Sequence, residues 1–309
     1  MAMRSLFRCF LAAWALAATS LTAKADFIPL YVFAGQSNAV GVNTLSELTP
    51  TQSAPQPNVL YYGPNEASTP PTWGALTPST TSPNLTDGIG RTGLGSYGPE
   101  ISTGKTISAG LGGQLVAEVK LAVGATSLWD PLDWNPTGSN NLYSHLLDRV
   151  HEAAFKLELQ EHIPIVAGFF WMQGESDGIE GHGSEYAANL TSFIAQVRLD
   201  FGNPNLPFVF GQIINHDGTT APVIRAQQQL VADTVPNTAL ILTDDLGHTD
   251  QIHFNGPGIY TMGERFGAAY LSMVPEPSSL VLFAAAAVVV LTGRRRSTRQ
   301  ATCAGPRIA

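Results

Sequence analysis

The chain has 309 residues, 44% of them hydrophobic and 13% charged, with 16 Lys and Arg against 24 Asp and Glu and a formal net charge of −8. That acidic balance argues against nucleic acid or an anionic membrane surface as a partner. The two cysteines, Cys9 and Cys303, lie near the ends, so a domain between them holds no disulfide.

Arg4 and Arg8 precede an apolar run from Phe10 to Leu21 that closes on Ala23-Lys24-Ala25. A basic start, a short apolar core and a small-x-small exit are the parts of a secretory signal peptide, here residues 1–25, cut before Asp26. The run is too short to span a bilayer. Cys9 follows Phe7-Arg8 rather than small residues, which argues against a lipoprotein.

Residues 26–273 are long enough for one α/β domain with a sizeable core. Eight of the 16 basic residues lie in the terminal segments, against one of the 24 acidic residues, Glu276, so the domain carries a net charge of −15. Leu30–Ala34 is a short apolar run of the kind that forms a buried parallel strand. Residues 63–96, rich in Pro, Thr, Ser and Gly, read as a long irregular excursion of the kind that often carries function. Val116–Val123 reads as a second strand. Leu142–Leu159 has apolar residues at helical spacing, followed by a strand at Ile165–Trp171 and a helix at Tyr186–Phe201. A strand at Pro207–Ile213, a helix at Val223–Val235, a strand at Ala239–Thr243 and a helix at Gly258–Leu271 complete the domain. Strands alternating with helices imply a parallel sheet covered on both faces, with ligands bound beyond the carboxyl ends of the strands.

The other terminus, residues 274–309, carries Val274-Pro275-Glu276-Pro277-Ser278, an uncharged stretch from Leu280 to Thr292, and Arg294-Arg295-Arg296. The arginines would stay cytoplasmic under the positive-inside rule. This tripartite ending resembles the PEP-CTERM sorting signal of Gram-negative bacteria. That resemblance implies an exosortase-type partner that removes the apolar tail, leaving the protein at the cell envelope or released from it. The membrane is then met only through the terminal signals.

Three polar motifs fall at strand ends. Gly35-Gln36-Ser37-Asn38-Ala39 follows the first strand and lacks the second glycine of the Gly-x-Ser-x-Gly elbow of ordinary α/β-hydrolases. On its own it also fits a polar turn with an N-capping serine. Trp171-Met172-Gln173-Gly174-Glu175-Ser176-Asp177 crowds three polar side chains after another strand. Asp250-Gln251-Ile252-His253-Phe254-Asn255 precedes the last helix. A serine hydroxyl is a poor nucleophile until a neighbouring base takes its proton, and a carboxylate on that base fixes its tautomer. One turn can carry both groups, so Asp250 and His253 form a candidate pair with Ser37 as nucleophile. His248 and His216 are the competing bases.

In order and spacing these motifs resemble the sialate O-acetylesterase and acetyl xylan esterase branch of the SGNH hydrolases. Lys120-Leu-Ala-Val-Gly-Ala-Thr-Ser-Leu128 is similar to that family's strand and Gly-rich turn. The resemblance implies a flavodoxin-like three-layer αβα sandwich with a parallel sheet. It implies that Ser37 attacks the ester carbonyl, His253 acts as base and then acid, and Asp250 orients His253. It implies an oxyanion hole made of the backbone N–H groups of Ser37 and Gly98, with Gly93 and Gly95 as near alternatives, and the amide of Gln173. Gln36 and Asn38 would brace the nucleophile turn. Glu175 would support the site or share the acid role with Asp250. The implied substrate is an O-acetylated carbohydrate, with a longer-chain lipase- or arylesterase-like hydrolase and a non-catalytic carbohydrate-binding protein as the rivals. Trp129, Trp134, Trp171 and Phe254 are candidates for the walls of the site or a sugar platform, with core packing the commoner role for Trp171 than for Trp134. No His, Cys or carboxylate cluster has metal-ligand spacing and no phosphate-binding loop is present, so no cofactor is expected.

Overall fold

The computed structural model describes residues 26–63, 71–78 and 96–274. The signal-peptide reading of residues 1–25 and the sorting-signal reading of 275–309 lie outside the described residues. Among the described residues no helix is long and apolar enough to cross a membrane. Strand β1 (Phe27–Gly35) leads into a single helical turn, α1 (Ser37–Val40). Strands β2 (Gln56–Gly63) and β3 (Thr72–Leu76) precede α2 (Glu100–Gly110) and β4 (Val116–Ala122). Then come α3 (Leu142–Glu158), β5 (Ile163–Met172), α4 (Glu175–Ile179), α5 (Tyr186–Asp200), β6 (Phe208–Gly211), α6 (Thr220–Thr234), β7 (Thr238–Ile241) and α7 (Gly256–Met273).

The strands lie in the order β3-β2-β4-β1-β5-β6-β7, and every neighbouring pair is parallel except β2 with β3. Taken alone, β4-β1-β5-β6-β7 has the 2-1-3-4-5 winding of the flavodoxin-like sheet, whose switch point falls between its first and third strands. Here that point is between β1 and β5. Side chains alternate along β5, and both faces are covered. Phe170 packs against Phe33 and against Phe266 of α7, while Trp171 packs against Phe193 of α5. A strand buried on both sides has no polar face to show, which is why Phe169-Phe170-Trp171-Met172 is unbroken and apolar. α2 and α7 cover one face, and α3, α5 and α6 the other. The expected three-layer αβα sandwich is what the chain forms.

Two departures from the sequence reading matter. The stretch after Gly63 is not wholly irregular: Thr72–Leu76 pairs with β2 as an antiparallel edge. Trp73 anchors that edge, packing against Tyr62 at 5.1 Å and donating its indole N–H to the Ala153 carbonyl at 2.9 Å. Residues 79–95 lie outside the described residues. The other departure is α2, a helix of Ser, Thr and Gly that carries no clear apolar stripe. Ser102 and Thr103 donate to the carbonyls of Tyr260 and Gly263, at 2.6 and 3.1 Å, so small residues let α2 and α7 approach closely.

Candidate active site

Strand β1 ends at Gly35, whose φ of 140° lies in the region that favours glycine. A Cβ there would collide with the Met172 carbonyl, to which Gln36 donates its backbone N–H at 2.9 Å. β1 and β5 therefore stay together to their last residue, and Ser37 and Gln173 emerge side by side at the switch point. Ser37 begins the α1 turn. Its Oγ lies 3.0 Å from His253 Nε2, and His253 Nδ1 lies 2.8 Å from Asp250 Oδ2. An ionised carboxylate only accepts, so the proton sits on Nδ1 and Nε2 is left to accept from the serine hydroxyl.

Asp250 Oδ1 accepts the backbone N–H groups of Ile252 and His253, both at 2.8 Å. Partial burial opposes the charge, but the hydrogen bonds from the His253 ring and these two N–H groups outweigh it and hold the carboxyl below its ordinary value. The competing histidines are elsewhere: His248 Nδ1 contacts the Asp250 carbonyl and His216 Nδ1 the Ile214 carbonyl.

Around this series the buried side chains form one network. Asn38 donates to Glu175 Oε1 at 2.7 Å and to the Ile252 carbonyl at 2.8 Å, and accepts the Phe254 N–H at 3.1 Å. It thus grips the chain immediately before and after His253. Gln36 Oε1 accepts from Gln173 Nε2 at 3.2 Å and from the N–H groups of Gly174 and Ser176 at 3.4 and 3.3 Å. Both tie the α1 turn to its neighbours. The Glu175 carboxyl meets Asn38, whereas the histidine ring meets Asp250. Burial pushes Glu175 up to about 7, against the hydrogen bonds from its own N–H and from Asn38.

Two expected oxyanion donors are turned elsewhere. The Gly98 N–H donates to Glu100 Oε1 at 3.0 Å. Gln173 Nε2 faces Asp177 Oδ2 at 2.6 Å, the Thr126 carbonyl at 3.1 Å and Gln36, three acceptors for two hydrogens. Turning the amide over would set its oxygen against a carboxylate and a carbonyl, so this network fixes its orientation. Beside Ser37 lies Gly124 instead, in the loop after β4, where an added Cβ would stand 3.7 Å from Ser37 Cβ. Among the described residues the backbone N–H groups of Ser37 and Gly124 donate to no protein group. The sequence held the signal for Gly124, a glycine closing a strand in the Lys120–Leu128 segment.

Of the aromatic candidates, Trp134, Trp171 and Phe254 are all fully buried. Trp134 stands edge-on to Trp171 at 5.3 Å and donates to Thr126 Oγ1 at 2.8 Å, so it is core, contrary to expectation. Trp129 is 40% exposed and stacks on His182 with ring centroids 3.7 Å apart. Asp177 accepts the N–H groups of Leu128 and Trp129 at 2.9 and 3.1 Å, tying this loop to Gln173. Among the described residues no three His, Cys, Asp or Glu side chains are grouped to hold a metal ion.

This fold recurs in solved structures. A protein of Arabidopsis thaliana has a TM-score of 0.65 to this chain at 19% identity, covering 79% of this chain and 98% of that one. NanS has a TM-score of 0.61 at 16% identity, covering 80% and 98%. A carbohydrate acetylesterase from Xanthomonas citri has a TM-score of 0.58 at 19% identity, covering 78% of this chain and 55% of the other. No curated protein matches the chain. Residues 28–272, nearly the whole described domain, match the family described as carbohydrate esterase, sialic acid-specific acetylesterase. The chain belongs to that family of carbohydrate esterases.

Proposed function

We propose that the protein removes O-acetyl groups from carbohydrate by nucleophilic catalysis at Ser37. The observation that carries this reading is the series Ser37 Oγ–His253 Nε2–Asp250 at 3.0 and 2.8 Å, standing at the switch point of the sheet. Ser37 Oγ attacks the acetyl carbonyl as His253 Nε2 takes its proton, and Asp250 stabilises the imidazolium that forms. The oxyanion is received by the N–H groups of Ser37 and Gly124. Donors preset for charge that develops only in the transition state typically supply about 3 kcal/mol each. His253 then protonates the departing sugar oxygen. Water, activated by the same imidazole, cleaves the acetyl-enzyme and restores the serine. Gln173 supports the loops around the nucleophile rather than the oxyanion. Trp129, in the same loop as Gly124, offers an apolar ring of the kind on which a sugar stacks.

The test is Ser37→Ala assayed on 4-nitrophenyl acetate and on an O-acetylated glycan. Loss of both activities with an unchanged melting temperature is expected, and turnover retained in the variant would overturn the assignment. The terminal segments complete the reading. Residues 1–25 act as an export signal, and 274–309 act as a sorting signal read by an exosortase-type enzyme, so the esterase works at or beyond the cell envelope.

A further inference from the structure

Strand β4 lies second from the switch point with both neighbours parallel, yet its sequence, Val-Ala-Glu-Val-Lys-Leu-Ala, puts two charged residue types in the core. Glu118 and Lys120 are 0% and 3% exposed. Burial, and then the nearby Glu100, push the Glu118 carboxyl well above its ordinary value. Lys120 is different, because its ammonium is fully engaged. Nζ lies 2.8 Å from Glu100 Oε1 and donates to the carbonyl oxygens of Ala39 and Val40, each at 3.3 Å. Three donors meet three acceptors.

Those two carbonyls close the α1 turn that Ser37 opens. A turn of four residues has no stability of its own, so its geometry comes from what holds it. Asn38 and Gln36 grip its beginning, and Lys120 grips its end. Glu100 also receives the Gly98 N–H, and a Cβ on Gly98 would overlap the Ala39 carbonyl and stand 2.8 Å from Lys120 Nζ. Gly98, Glu100 and Lys120 thus form a seat under the nucleophile turn. A buried ion pair is a poor device for stability alone, since apolar replacement of both partners is often neutral. Its place beneath Ser37 suggests another reason for it.

We propose that Lys120, paired with Glu100, is a positioning residue that fixes the Ala39 and Val40 carbonyls and so aims Ser37 Oγ at His253 Nε2. The inference rests on Ser37 as nucleophile, because only then does the aim of its hydroxyl govern turnover.

The experiment uses the full-length protein and the double variant Lys120→Met/Glu100→Gln, which removes both charges of the pair together. Melting temperature, kcat and KM on 4-nitrophenyl acetate, and the rate at which a fluorophosphonate labels Ser37 are measured together. A displaced nucleophile should lower kcat at least about tenfold and slow labelling in parallel, with KM and melting temperature little changed. Should that variant not fold, Glu100→Asp keeps the charge but withdraws it from Lys120, and kcat should again fall with KM unchanged. A folded variant whose kcat and labelling rate stay within about twofold of wild type overturns the inference. A wild type not labelled at Ser37 overturns the nucleophile assignment, and this inference with it.

Discussion

Asn38 joins the turn bearing Ser37 to the loop bearing His253, because its amide meets the backbone on both sides of His253 while also reaching Glu175. Glu175 is 1% exposed and its Oε2 has no hydrogen-bond partner, so this is a carboxyl whose charge the fold does not favour. Burial raises it to about 7, whereas in the unfolded chain it ionises near about 4.3. Between those values the folded state holds a proton that the unfolded state lacks, so stability falls as pH rises through the window and levels off above it. Glu175→Gln keeps the acceptor for Asn38 and cannot ionise. It should flatten that slope, gaining on the order of 1–3 kcal/mol over wild type on going from pH 5 to pH 8. Urea unfolding of both proteins at the two pH values measures this, and parallel curves would mean that Glu175 does not titrate in the fold. The nearby residues also mark how far sequence could lead. Ser37, Asp250 and His253 were legible because one turn places a carboxylate beside an imidazole, and the Ser37 motif sits at a strand end. The Tyr97–Glu100 segment, by contrast, gives no sign that the Glu100 carboxylate turns back onto the Gly98 N–H.

At the scale of elements, β1, β4, β5, β6 and β7 and the helices α3, α5, α6 and α7 were legible because their apolar residues recur at strand or helix spacing. α2 was not legible, since its contacts with α7 are made by small polar residues whose value depends on the partner. Gly263 shows this most sharply. A Cβ there would overlap the Pro99 carbonyl and the Ser102 Oγ. Backbone cannot withdraw as a long side chain can, so Gly263→Ala should push α7 away from α2. The expected cost is about 2 kcal/mol or more, read as a drop of ~4–8 °C in melting temperature. An unchanged melting temperature would show that the two helices separate freely. The β2–β3 edge escaped notice for a related reason, because Trp73 is positioned by Tyr62 and Ala153, which are distant in sequence.

Over the whole molecule, charge is divided between domain and ends: residues 26–273 carry −15, and the terminal segments supply the balancing cations. Removal of both ends would release a strongly acidic domain, suited to neutral or distant partners rather than to anionic surfaces. In a host with a matching exosortase, the intact mass should therefore lack both the first 25 residues and everything beyond the Pro275-Glu276-Pro277 region. A mature mass that still includes Arg307 would favour a plain anchor over a processed sorting signal.

The hydrogen bond between Ser37 and His253 joins residues 216 positions apart, one on the first strand's exit and the other just before the last helix. During synthesis Ser37 is made early and waits for His253 until almost the entire domain has been translated. A truncated chain that ends between Ile241 and residue 253 has Ser37 and all seven strands but lacks the imidazole that meets the serine hydroxyl. By the proposed mechanism, turnover then reports that the last part of the chain has docked on the first.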